Sequence, residues 1–425
     1  MKAIWILSAA SMLHAQDIGG DWQGTLKAGQ SNLRIFVEVR PVEIKPAGAG
    51  WKGLMHSLEQ GGDGIPFDSV AMEGANVKMT IEQIRGVYEG KMSTDGATIQ
   101  GTWSQGFKLP LELKRTTKED AWYKDDSPHT AQMVTVDKNV QLEVLDWGGT
   151  GRPVILLAGL GNSAHVFDTF ARKLTGSYRV YGITRRGFGW SSTPATGYAA
   201  DRLGDDVLEV AKALKIEKPV LIGHSIAGEE LSSIGQRHPE SVAGLVYLDA
   251  GYGYAFYDKS HGDSRLDAIE VRDKLDKFIA SPVPLRRVVE QLLQEDLAQL
   301  DKSLKQELKE IETAGPVPPM PGPSDRFSPA QAILGAMQKH TDIKAPALAI
   351  YALPHNPVGT FSMDPAVIAK AEAQDLERTG ALAKAFEAGV PKSRVVRIAK
   401  ANHFVFRSHE ADVLREVNAF IAGLQ

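Results

Sequence analysis

Ser225 ends an apolar run, Pro219-Val220-Leu221-Ile222-Gly223-His224-Ser225-Ile226-Ala227-Gly228. The run reads as a buried strand and helical spacing follows it, so the serine falls on a tight strand-to-helix turn. Such a turn exposes a nucleophile and demands small residues on either side, because strand and helix approach closely. Gly223 and Ala227 stand at those positions. The start of a helix also presents backbone N–H groups that favour developing negative charge. A serine hydroxyl attacks a carbonyl only when a positioned base takes its proton. The base is expected in the loop after the last strand. Residues 394–398 read as that strand, and Ala401-Asn402-His403-Phe404 follows, which selects His403, with His409 as the weaker competitor. His224 reads as a supporting residue, and His238 and His340 as structural or exposed.

An acid must orient the histidine and stabilise its protonated form. Its commonest place is just after the penultimate strand. There the sequence reads Tyr351-Ala352-Leu353-Pro354-His355-Asn356-Pro357-Val358, with no carboxylate before Asp364. The strand before that one ends in Leu248-Asp249-Ala250. A carboxylate at the C-terminal edge of the sheet, one strand from Ser225, makes Asp249 the preferred acid and Asp364 the alternative. Two backbone N–H groups should form an oxyanion hole: that of Ile226, and that of Leu160 in Ala158-Gly159-Leu160-Gly161. The glycine-rich loop lacks the lysine of a phosphate-binding loop.

The elements that must hold these residues alternate. From residue 134 onward, short apolar strands at 154–158, 180–184, 220–222, 245–248, 347–351 and 394–398 interleave with helical runs at 201–214, 228–237, 364–386 and 410–424. Strands buried on both faces, alternating with helices, imply a mostly parallel, doubly wound sheet. Residues 252–342 interrupt it with charged helical segments at 266–279, 285–300 and 302–313 and a proline-rich turn at 315–321, which reads as a helical cap over one end of the sheet. Tyr252, Tyr254, Phe256 and Tyr257 either line a pocket beneath this cap or pack it onto the core.

Residues 17–116 follow another pattern. Short alternating runs at 33–40, 51–58, 68–72, 77–81, 87–92, 98–103 and 109–113 are separated by glycine-rich turns, as in a small all-β sandwich or barrel. Gly20-Asp21-Trp22 and Gly101-Thr102-Trp103 repeat weakly, and the two tryptophans would plug such a barrel. Residues 117–133 are polar and read as a linker. At the N-terminus Lys2, the apolar run 3–13 and Ala15 have the form of a signal peptide over 1–15, too short to span a bilayer. A periplasmic or secreted protein is expected. The 425 residues carry a net charge of −4 and no cysteine, which excludes a disulfide scaffold, a thiolate metal site and a cysteine nucleophile, and gives no sign of nucleic-acid binding.

Over residues 134–425 the chain resembles the α/β-hydrolase fold superfamily. The residues that carry this are Gly159-Leu160-Gly161, Arg186-Gly187-Phe188-Gly189-Trp190-Ser191, Gly223-His224-Ser225-Ile226-Ala227-Gly228 and Asn402-His403-Phe404. It departs from the common pattern in Ala227 for the second glycine, in Ala158 where many members carry histidine, and in the missing acid after the seventh strand. The resemblance implies an eight-stranded sheet, a helical cap, a Ser–acid–His triad, and neither a metal nor a cofactor. Members with the acid after the sixth strand exist, which suits Asp249. The serine argues against the dehalogenase and epoxide hydrolase chemistries, which use aspartate at that position. The N-terminal region resembles accessory β domains of some secreted bacterial hydrolases. Fold does not fix substrate. The expectation is an exported serine hydrolase of a small carboxylic ester or lactone, with no stable membrane insertion. An amide hydrolase of aminopeptidase type, with Glu229 or Glu230 as amine partners, and a non-catalytic ligand-binding protein using the β domain are the alternatives. Both glutamates otherwise read as cap or helix-surface residues.

Overall fold

The computed structural model describes residues 17–28, 31–44, 48–58, 64–123, 129–283, 285–314, 327–356 and 365–424. The signal-peptide segment, the proline-rich turn at 315–321 and Asp364 lie outside the described residues. The described residues form two compact units, one up to residue 123 and one from residue 129 onward.

The first unit is an antiparallel sheet of nine strands: β1 (Gly20–Ala28), β2 (Ser31–Ile44), β3 (Gly48–Ser57), β4 (Ile65–Pro66), β5 (Ser69–Glu73), β6 (Asn76–Ile81), β7 (Gly86–Met92), β8 (Thr98–Ser104) and β9 (Lys108–Thr116). Their order is β4-β3-β2-β1-β9-β8-β7-β6-β5. Sequence neighbours pair throughout except β4 with β5, and β1 pairs with β9, so the sheet is an up-and-down barrel left open between β4 and β5. Pro66, in the two-residue strand at that opening, has no N–H to donate. The inward residues fill the interior: Trp22, Trp103, Tyr88, Phe67, Met79 and Ile99 belong to one buried cluster. Trp22 donates to the Ile18 carbonyl at 2.9 Å, and the Tyr88 hydroxyl to those of Ile99 and Leu111.

The stretch expected to be a linker is structured at both ends. Helix α1 (Lys118–Tyr123) buries Ala121. Residue 130 already begins the first strand of the second unit, because Val134 and Val136 alternate inward and join its core.

The second unit is an eight-stranded sheet of order β10-β11-β13-β12-β14-β15-β16-β17. The strands are β10 (Thr130–Asp137), β11 (Val140–Gly148), β12 (Pro153–Leu157), β13 (Arg179–Ile183), β14 (Val220–His224), β15 (Gly244–Leu248), β16 (Ala347–Ala352) and β17 (Ser393–Ile398). β10, β11 and β13 pair antiparallel, and β13 through β17 run parallel. Odd and even positions of the central strands feed two cores. On one face Ile155, Leu221, Tyr247 and Ala349 pack against α3 (Ala200–Ala213), α4 (Ala227–Arg237) and α9 (Pro365–Gly389). On the other, Val154, Ile222, Leu248 and Ile350 pack against α2 (Asp168–Leu174) and α11 (Glu410–Ala422), the latter preceded by the short α10 (Val405–Ser408). β17 departs from the expected burial on both faces: it is the edge strand and is only partly covered. The order of strand addition reverses at β12, with β13 on one side and β14 on the other, so the C-terminal ends of β12 and β14 flank the switch point where ligands bind in such sheets.

Between β15 and β16 lie α5 (Ser264–Ala280), α6 (Arg286–Gln291), α7 (Leu297–Ala314) and α8 (Pro329–Leu334). A π-helical turn over Leu292–Asp296 joins α6 to α7. The break expected at residue 301 is absent, since no Gly or Pro interrupts Leu300-Asp301-Lys302 and an ion pair of 2.6 Å links Asp301 to Lys305. Among the described residues no helix is long and apolar enough to cross a membrane.

The Arg-Gly-x-Gly-x-Ser run after β13 is a polar knot. Ser191 Oγ donates to the Thr184 carbonyl at 2.6 Å and accepts from the Glu143 N–H. Buried Arg186 grips Asp206 of α3 through two bonds of 2.6 and 2.7 Å. Removing one partner of such a pair leaves a poorly compensated buried charge. Arg186→Ala is expected to cost about 3 kcal/mol or more, read from urea unfolding.

Candidate active site

Five loops at the C-terminal ends of parallel strands converge: those after β12, β14, β15, β16 and β17. Ser225 follows β14 directly and has φ 53°, a left-handed conformation costly for serine. The turn is held by Ser225 N–H to the Leu248 carbonyl at 3.2 Å and by Gly228 N–H to the Ser225 carbonyl at 2.9 Å. The small residues have a visible reason. A Cβ on Gly223 would come within 3.1 Å of Ala227 Cβ. A Cβ on Gly159 would sit 2.8 Å from His224 Nδ1 and 3.2 Å from Ser225 Cβ, so the loop after β12 packs its bare backbone against the serine. That contact brings the loop bearing Leu160 beside Ser225, while Ile226 is the next residue along the chain. Among the described residues neither the Leu160 nor the Ile226 N–H donates to a backbone carbonyl. Arg185 steadies this loop by donating to the Ala158 carbonyl at 2.8 Å while it pairs with Glu230 of α4.

Asp249 follows β15 and is fully buried, with φ 47°. Its Oδ1 accepts the Ala352 N–H at 2.9 Å. Its Oδ2 accepts from two imidazoles, His403 Nδ1 at 2.7 Å and His355 Nε2 at 2.8 Å. Burial works to raise this carboxyl, but the hydrogen bonds from His355 and His403 outweigh it and hold it at about 2. The Asp249 bond places the His403 proton on Nδ1 and leaves Nε2 as the basic nitrogen. The His403 side chain is 43% exposed. His224 supports it from behind: its Nε2 donates to the His403 carbonyl at 2.9 Å, and the two rings lie 4.6 Å apart. Full burial, with His403 adjacent, drops His224 to about 3 and keeps it neutral.

The structure thus joins His403 to Asp249 and sets the loop bearing Leu160 beside Ser225 and Ile226. The alternative acid Asp364 lies outside the described residues. His409 hydrogen-bonds Ser408, and His238 meets Arg237. His340 is buried, and burial lowers it to about 4. Glu229 and Glu230 are not on the helix surface: they are 1% and 3% exposed. Glu229 accepts the Gln338 N–H at 2.8 Å, and burial raises it to about 8. The aromatic cluster divides. Tyr252 and Tyr254 line a cavity of about 700 Å³ with Ile226, His355 and Arg265, whereas Phe256 packs on Phe386 and Tyr257 donates to Asp267 at 2.6 Å.

Sequence reasoning missed His355 and Asp375. The first is an imidazole at a place where a carboxylate is expected. The second sits inside a long helix with nothing local to single it out. Among the described residues two groups carry ligand-type atoms within 4.8 Å of one another, Asp249–His355–His403 and His129–His165–Asp168. Hydrogen bonds account for both arrangements, His129 Nδ1 lying 3.0 Å from Asp168 and His165 Nε2 3.3 Å from Glu143.

The family model of the alpha/beta hydrolase fold matches residues 152–410, more than half of the chain. The chain belongs to the α/β-hydrolase fold family. It is 26% identical over 124 residues to 2-(acetamidomethylene)succinate hydrolase of Mesorhizobium japonicum, covering 29% of this chain and 42% of that protein. It is 34% identical over 120 residues to the non-heme chloroperoxidase of Streptomyces lividans, covering 28% and 44%. The chain spans less than half the length of the curated relatives it matches. A solved esterase from Exiguobacterium antarcticum has a TM-score of 0.45 and 18% identity, over 69% of this chain and 100% of that one.

The neutral His224 has a consequence for stability. Its value is near 6.5 when unfolded and about 3 when folded, so below pH 6.5 the unfolded chain takes up a proton that the folded one refuses. Stability is therefore lost as pH falls. Between pH 6.5 and 4, wild type should lose about 1.4 kcal/mol per pH unit relative to His224→Gln, read from denaturant unfolding of the two proteins side by side.

Proposed function

We propose that the protein is an exported serine hydrolase that cleaves a small carboxylic ester or lactone through an acyl-enzyme on Ser225. What supports this reading is the strained Ser225 turn at the sheet switch point, together with His403, whose ring lies 4.6 Å from that of His224, the residue before the serine, and whose Nδ1 is bound by a buried carboxylate at 2.7 Å. Export rests on Lys2 and the apolar run 3–13. The names of the relatives fit a hydrolytic or related reaction at a site of this kind, and serine in place of aspartate favours acyl transfer.

In this mechanism His403 Nε2 takes the proton of Ser225 as Oγ attacks the carbonyl carbon. Asp249 remains an anion and stabilises the imidazolium that forms. The Leu160 and Ile226 N–H groups hold the oxyanion, a contribution worth roughly 10²–10³ in rate for each donor. The tetrahedral intermediate collapses, the leaving alkoxide takes the proton from His403, and water deacylates Ser225 by the reverse sequence. The cavity beside Ile226 suits a compact polar substrate, since tyrosine hydroxyls and charged cap side chains line it.

A fluorophosphonate probe and a panel of short-chain esters and lactones test the reading. Wild type should label and turn over; Ser225→Ala and His403→Ala should lose roughly 10⁴-fold or more in kcat/KM, and Asp249→Asn roughly 10³–10⁴-fold. An unlabelled, folded wild type would overturn it and direct attention to ligand binding by the β-barrel unit.

A further inference from the structure

Beyond Ser225, His403 and Asp249, the site holds a second histidine bound to the same carboxylate. His355 Nε2 lies 2.8 Å from Asp249 Oδ2, the oxygen that also receives His403. On its other side His355 Nδ1 lies 3.0 Å from Asp375 Oδ2, which also accepts the His355 backbone N–H at 2.7 Å. Asp375 is fixed in turn by Thr379, whose hydroxyl donates to Oδ1 at 2.6 Å. The continuous series is Asp375–His355–Asp249–His403, built from α9 and the loops after β16, β15 and β17.

The protonation state of His355 follows from its partners. An ionised carboxylate only accepts hydrogen bonds, and a neutral imidazole carries a proton on one nitrogen alone. His355 has a carboxylate oxygen within 3.0 Å of each ring nitrogen, so both nitrogens must carry hydrogen and the ring is a cation. The Tyr252 hydroxyl, 3.3 Å from Nε2, is more distant than Asp249 and leaves this assignment unchanged. We propose that His355, held by Asp375, is a positioning residue for the Ser225 reaction: its imidazolium clamps Asp249 Oδ2 in line with His403 and offsets part of the carboxylate charge that His403 feels. This rests on the serine hydrolase reading above. Burial works to lower His355, and the bonds to Asp249 and then Asp375 overcome it and raise the ring to about 10, in keeping with the geometry.

The consequence is electrostatic. A carboxylate beside the base stabilises the base's protonated, inactive form, and a cation on the same carboxylate weakens that effect. The arrangement therefore extends activity toward acid. The groups facing His355 are Asp249 and Tyr252 after β15, and Asp375 of α9; His403 is reached through Asp249. Arg378 of α9 opens on the same cavity and pairs with Glu310 of α7 at 3.2 Å. From the cap, His261, Asp263, Arg265 and Glu307 line that cavity.

The test is the second-order rate of fluorophosphonate inactivation from about pH 5 to 9, for full-length wild type, Ser225→Ala, His355→Gln, Asp375→Asn and Asp375→Glu, with circular dichroism on each. His355→Gln removes the cation. Asp375→Asn leaves the ring beside Asp249 but lets it go neutral. Both should move the acidic limb to higher pH by about one unit, a loss of roughly tenfold on that limb, while the rate near pH 9 is largely kept. Asp375→Glu should restore the wild-type limb. Unmoved limbs in both folded variants, or an equal loss at every pH, would overturn the inference while Ser225-dependent labelling stands. Labelling that survives Ser225→Ala would overturn the serine reading, and this inference with it.

Discussion

A fully buried carboxylate, Asp249, is the interaction on which the rest of the site depends. An isolated anion without solvent is very costly, so its presence requires donors arranged around it. They come from three places that only the folded sheet unites: a backbone N–H at the end of β16, an imidazole after β16 and an imidazole after β17. The parallel register makes this possible. Leu248 pairs with Ile350 and Ala352 with Ile398, so β16 and β17 end level, β15 ends two residues short of them, and their loops open side by side. The left-handed backbone at Asp249, a conformation aspartate tolerates better than most residues, turns the side chain into that space.

The second constraint is contact distance. The serine turn works because strand, helix and the loop after β12 approach until there is no room for a Cβ at Gly159 without moving His224. The same compression excludes water around His224, which keeps that ring neutral and lets it act as a hydrogen-bond strut under His403. Arg185 adds a further tie, since one guanidinium spans the loop at Ala158 and the helix that begins after Ser225. Compact packing and precise placement of the His403 imidazole are here one property.

Legibility in the sequence follows the range of the interaction. Helices and strands of the second unit were readable because their spacing is local, and the α/β architecture follows from that alternation. Misreadings arose where a distant partner decides. Glu229 and Glu230 look like solvent-facing residues of a helix, yet Arg185 from another loop and the Gln338 N–H from the end of the cap segment make their burial tolerable. The supposed linker is polar overall, yet Val134 and Val136 alternate inward as soon as β11 is there to pair with.

By itself the sequence determined the fold class, the turn that displays Ser225 and the loop that carries His403, because each depends on residue types within a few positions of one another. It narrowed the acid to two aspartates and could go no further. Only the tertiary structure placed Asp249 against His403 and added His355 and Asp375, separated from one another by 20 residues and from Asp249 by 106 or more. The physical reason is that hydrogen bonds across a sheet edge are specified by strand register and helix docking, which leave no local pattern in the chain.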